Sequence, residues 1–84
     1  MNSVIKYPNM TEKAMDDLDF QNKLQFVVTG DATKPEIADA VSEQFDVTVV
    51  GVTTQVQPNG EKKAYVKLSE DDEAEDVASR IGVF

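Results

Sequence analysis

Val47-Thr48-Val49-Val50-Gly51-Val52-Thr53-Thr54-Gln55-Val56-Gln57, the turn Pro58-Asn59-Gly60, and Lys62-Lys63-Ala64-Tyr65-Val66-Lys67-Leu68 form the stretch that decides the fold. Valine and threonine fill the first run, and branched side chains suit a pleated strand better than a helix. Its apolar phase changes across Gly51, from Val47 and Val49 to Val52 and Val56, which predicts a bulge there. Pro58-Asn59-Gly60 is a hairpin turn signal. Lys63 to Leu68 then alternates and buries Ala64, Val66 and Leu68 on one face. A tight hairpin of this kind makes an antiparallel sheet.

The other elements are read outward from that hairpin. Thr33-Lys34-Pro35-Glu36 is a capping box, with Thr33 as N-cap, Glu36 at N3 and Pro35 in the first turn. Ile37, Ala40, Val41 and Phe45 follow as one stripe, widened by Ala38. Lys23 to Val28 places Leu24, Phe26 and Val28 on one face, which predicts a half-buried strand broken by Gly30-Asp31. Near the start, Val4-Ile5-Lys6 is a short strand stopped by Pro8, and Thr11 caps a brief helix carrying Ala14, Met15 and Leu18. Ser69 is expected to cap a last helix bearing Ala74, Val77, Ala78 and Ile81, with Gly82 at C′. The order β-α-β-α-β-β-α predicts one α+β domain over residues 1–84. It is an α/β sandwich with a mostly antiparallel four-stranded sheet and helices packed on it.

Composition excludes several classes of function. Eighty-four residues make a single small domain. With no cysteine there is no disulfide framework or thiolate metal site, and with no histidine the usual general base is missing. Ser42, Ser69 and Ser79 have nothing to activate them, and the glycines never cluster into a phosphate loop. No enzyme, cofactor or metal is expected. No apolar run suits a signal peptide or a membrane span, so the expected setting is cytoplasmic, with no membrane partner.

Net charge is −8, with 16 acids against 8 bases, which argues against DNA and weighs against any nucleic acid. The acids are read as spread over every solvent face, a halophilic surface chemistry. In molar salt the Debye length falls to about 3 Å, and net charge no longer decides which partners approach. The dense block Glu70-Asp71-Asp72-Glu73, with Glu75 and Asp76, suits a helix N-terminus rather than a calcium loop.

Two segments gather basic and aromatic groups. Ile5-Lys6-Tyr7-Pro8-Asn9-Met10-Thr11-Glu12-Lys13-Ala14 turns a strand into a helix, and such corners leave backbone N–H groups free. Lys62 to Leu68 sets lysines beside Tyr65 on an outward strand face, one recipe for holding RNA by phosphate contact and stacking. It partly echoes the RNA-recognition-motif strand in Ala64, Tyr65 and Val66. Alone, each segment also reads as ordinary structure: a capped turn, and lysines that discourage edge pairing.

Taken in order, these pieces resemble the universal large-subunit ribosomal protein L23 family. The matching residues are Ile5-Lys6, Pro8 and Thr11-Glu12-Lys13-Ala14; Phe26-Val27-Val28; and Ala32, Lys34, Ile37, Ala40-Val41 and Phe45. Val47, Val49, Val52, Thr54, Lys62-Lys63-Ala64, Val66 and Leu68 complete the set, from about residue 4 to 68. The acidic surface makes the chain look like a haloarchaeal member. Two features depart from the pattern: Thr53 stands where the family usually has asparagine, and Pro58-Asn59-Gly60-Glu61 closes a hairpin that bacterial members extend.

The resemblance implies a structural role in the ribosome. Its partners would be large-subunit rRNA, neighbouring large-subunit proteins at the tunnel exit, and the signal recognition particle. Carried across, Lys6, Tyr7, Pro8, Thr11, Glu12 and Lys13 would line the rRNA at the first corner. Lys34 would meet phosphate at the central helix, and Thr53, Thr54, Gln55, Lys62 and Lys63 would carry the hairpin contacts. The alternative from another class is a free-standing halophilic regulatory or protein-interaction module of ferredoxin-like type.

Overall fold

A computed structural model describes residues 4–9 and 11–80. Its order is β1 (Ile5–Pro8), α1 (Glu12–Phe20), β2 (Lys23–Val28), α2 (Lys34–Phe45), β3 (Val49–Val56), β4 (Lys62–Leu68) and α3 (Ala74–Arg80). The strands form one sheet in the order β1-β2-β4-β3, and every neighbouring pair is antiparallel. The α+β sandwich expected from the pattern is the observed fold.

All three helices contribute to one core, on one face of the sheet. Leu18 of α1, Ile37, Val41 and Phe45 of α2, and Ala74, Val77 and Ala78 of α3 pack with Leu24, Phe26, Val28, Ala64, Val66 and Leu68. Phe26 and Phe45 stack with ring centroids 5.8 Å apart, tying the central strand to α2. The capping box forms as expected: Thr33 N donates to Glu36 Oε1 at 2.9 Å, and Glu36 N donates to Thr33 Oγ1 at 3.3 Å. Thr11 likewise caps α1, accepting from Ala14 N at 3.1 Å.

The hairpin turn is closed by Gly60 N donating to Gln57 O at 2.9 Å, with Gly60 in the left-handed region at φ 87°. That conformation is open to glycine at no steric cost. The expected bulge lies between Val49 and Gly51, where Val50 is the extra residue. The strand itself begins at Val49, and Val47 is buried just ahead of it.

Two expectations need correction. β2 is not half-buried: every residue from Leu24 to Val28 is buried, including Gln25 and Val27 on the face away from the helices. As an inner strand it has neighbours on both sides: Val27 lies between Tyr7 of β1 and Lys63 of β4, and Gln25 is held by Asn9 and by Asp17 of α1. Ser69 does not cap α3, which starts five residues later; its hydroxyl accepts from Asp71 N in the preceding turn. The first amide of α3 is taken instead by Asn22, whose Oδ1 accepts from Ala74 N at 2.7 Å. The helical positions assigned to Ile81 and Gly82 lie outside the described residues.

Candidate nucleic-acid interface

The sheet face opposite the core is free of the helices except at Gln25, where Asp17 of α1 reaches its edge. Strand register sets its side chains in rows: Tyr7, Val27, Lys63 and Gln55; then Gln25, Tyr65 and Thr53; then Lys23, Lys67 and Gly51. Val27 and Gln25 form the buried floor between the more accessible Tyr7, Lys63, Tyr65 and Thr53. Gln25 is committed at both ends of its amide. Its Nε2 donates to Asp17 Oδ2 at 2.7 Å, and its Oε1 accepts from Asn9 Nδ2 at 2.8 Å. This chain ties β1, β2 and α1 together beneath the interface.

Charge is divided between the two layers of the molecule. No residue of the four strands is acidic, and five of the eight basic residues (Lys6, Lys23, Lys62, Lys63 and Lys67) lie on them. All 16 acids belong to the helices, their flanking segments and the turns. Acid is therefore not spread over every solvent face, as counting along the chain suggests. Solvent-facing turns of helix accept carboxylates readily, whereas strands are poor in Asp and mildly poor in Glu. A net charge of −8 thus coexists with a basic sheet surface.

Glu61 is the acid at the rim of that surface. Its Oε2 accepts from Tyr7 Oη at 2.5 Å and its Oε1 from Asn59 Nδ2 at 3.2 Å. The Tyr7 hydrogen bond, then that of Asn59, then the charges of Lys6 and Lys63 hold its carboxyl below the ordinary range. The same bond raises the Tyr7 phenol.

The residues singled out in the sequence divide between sides. Tyr7, Lys63, Gln55 and Thr53 share the helix-free face. Lys6 is the bulged, exposed residue between Ile5 and Tyr7, and Pro8 ends β1 on the sheet edge. Thr11, Glu12 and Lys13 are exposed at the opening of α1, just beyond that strand. Thr54 and Lys62 point to the other side: Thr54 pairs with the buried Ala64, and Lys62 Nζ donates to Ala32 O at 2.7 Å. Lys34 begins α2, also in the helix layer.

Lys23 is the group that reading along the chain overlooked, and Tyr65 and Lys67 were not placed among the contacts. Their signal was present: Tyr65 and Lys67 stand in phase with Lys63, two and four residues on. Lys23 becomes visible only through its pairing with Lys67. Among the described residues, no group of acidic side chains is placed to hold a metal ion, and no helix is long and apolar enough to cross a membrane.

Comparison with known proteins finds one family. The sequence profile described as Ribosomal protein L23 matches residues 3–75. The protein named Large ribosomal subunit protein uL23 in Halobacterium salinarum is 67% identical over 84 residues, all of both chains. Its namesake in Haloarcula marismortui is 68% identical over 81 residues, covering 96% of this chain and 95% of that one. The one in Methanothermobacter thermautotrophicus is 46% identical over 82 residues, covering 98% and 95%. A profile spanning most of the chain, together with full-length relatives at these identities, leaves one assignment: this chain belongs to the ribosomal protein L23 family, whose members are structural proteins and not enzymes.

Proposed function

We propose that this chain, a structural protein of the large ribosomal subunit, binds large-subunit rRNA through the helix-free face of its sheet and the adjoining β1–α1 corner. The observation that carries the reading is the absence of any acid from the four strands in a chain with twice as many acids as bases. Lys6, Tyr7, Pro8, Thr11, Glu12 and Lys13 form the corner of the interface, and Thr53, Gln55 and Lys63 extend it over β3 and β4. Lysines position phosphates, while hydroxyls and amides read shape and the 2′-OH. Thr54, Lys62 and Lys34 join only where RNA passes around the β3 edge to the helix side. The acidic helix layer then faces solvent and protein, since phosphate would repel it.

Family membership supports extending the role to the rim of the peptide exit tunnel, beside neighbouring large-subunit proteins, as part of the docking platform for the signal recognition particle. The deciding experiment is sedimentation of a tagged chain from cell extract on a sucrose gradient kept at molar KCl. Co-migration with large subunits, with almost no free pool, is the expected result. A peak confined to the top of the gradient would overturn it in favour of a free-standing interaction module.

A further inference from the structure

The helix-free face has a centre that phosphate contact alone does not explain. On β4, Lys63, Tyr65 and Lys67 share that face, each about 7 Å from the next along the strand. Tyr65 pairs with Thr53 across the sheet, yet its Oη donates to Oε1 of the diagonal residue Gln55, at 3.0 Å. Aromatic and long side chains can span such a diagonal, so the bond fixes the phenol beside β3. The buried Val27 and Gln25 make a level floor beside it. Gln25 is buried, with one hydrogen bond at each end of its amide.

Resting on the RNA reading above, we propose that Tyr65 is a stacking platform for one unpaired rRNA base, with Lys63 and Lys67 taking the phosphates on either side. The site therefore selects a loop or bulge, not a continuous helix. In a duplex every base face is covered by its neighbours, and a ring on a sheet has nothing to stack on. An extruded base exposes a face that any aromatic ring can hold, which is how single strands are bound without strict sequence choice. Thr53, exposed beside the ring, supplies a hydroxyl for the base edge. Lys67 Nζ donates to Gln21 O at 2.5 Å and keeps two further N–H donors for phosphate.

The test uses the full chain and protein-free large-subunit rRNA in molar KCl. Tyr65→Phe is expected to bind within about twofold of the parent, and Tyr65→Leu to lose roughly 5- to 150-fold, the range for loss of one stacked base. Circular dichroism of each variant reports folding independently. Ultraviolet crosslinking of the unaltered chain avoids substitution altogether and should join Tyr65 to a nucleotide that chemical probing shows as unpaired. Equal binding by a folded Tyr65→Leu variant, or crosslinks only to paired nucleotides, would overturn the stacking site while leaving rRNA binding intact. Failure of the unaltered chain to bind the rRNA would overturn the RNA reading itself.

Discussion

Tyr7 and Glu61, 54 positions apart in the chain, meet through a 2.5 Å hydrogen bond from the phenol to the carboxylate. The bond joins the first strand to the hairpin turn and pushes the two titrations apart. Tyr7 ionises above its ordinary 10.0 and Glu61 below its ordinary 4.5. The contribution of Glu61 to stability is present above pH 4.5 and is lost as pH falls through its lowered folded value. That of Tyr7 is present below pH 10.0 and is lost as pH rises through its raised folded value. Nuclear magnetic resonance titration should find both displacements, and Glu61→Gln should bring the Tyr7 phenol back toward 10.0. An unchanged phenol in that variant would count against the bond in solution.

The same substitution should strengthen RNA binding. Glu61 is an acid at the rim of the basic sheet surface, within the fields of Lys6 and Lys63. Removing its charge should improve affinity for large-subunit rRNA roughly two- to fivefold at 0.1 M salt, on the scale of one exposed charge pair. The gain should vanish in molar salt. A gain that persists at high salt would show that shape and not charge is involved.

Adjacent lysines on opposite faces offer a sharper contrast. Lys63 stands on the helix-free face, while Lys62 is tied to the carbonyl of Ala32 on the other. Lys63→Ala should weaken rRNA binding and lower the salt slope by about 1, as loss of one phosphate contact does. Lys62→Ala should leave the slope nearly unchanged and cost stability instead. Equal slopes for the two variants would argue against the helix-free face as the interface.

Asn22 is expected to be the most sensitive polar position in the fold. At φ 53°, it donates from Nδ2 to Ser69 O at 3.1 Å and Asp72 O at 2.9 Å, while accepting from Ala74 N. Asn22→Ala forfeits these bonds and strains the left-handed backbone, at about 2–4 kcal/mol. Asn22→Gly relieves the strain alone and should recover about 1 kcal/mol. Denaturant unfolding in molar KCl measures both, and an Asn22→Gly variant as stable as the parent would refute the role given to the side chain.

Much of the fold is legible along the chain because its signals are local. Thr33 and Glu36 are three residues apart, and the turn from Gln57 to Gly60 is closed within four, so both motifs are complete in short windows. What the sequence hides is non-local. Val27 is buried between β1 and β4, Gln25 is held by Asn9 and by Asp17 of α1, and α3 is capped from position 22. Reading forward, Ser69 looks like the cap because nothing nearby shows that a distant asparagine holds Ala74. The interface follows the same rule. Lys63 and Lys62 look equivalent until register assigns them to different faces, and Lys23 acquires meaning only beside Lys67.

The division of charge between sheet and helices also bears on what the assembled particle shows to its surroundings. Docked by its sheet as proposed, the chain would cover a patch of phosphate and put carboxylates in its place. One anionic exterior would be exchanged for another, and the hydrated cations of a concentrated electrolyte would gather over protein as over nucleic acid. A basic protein at the same position would leave a neutral or cationic scar, open to the next stray RNA.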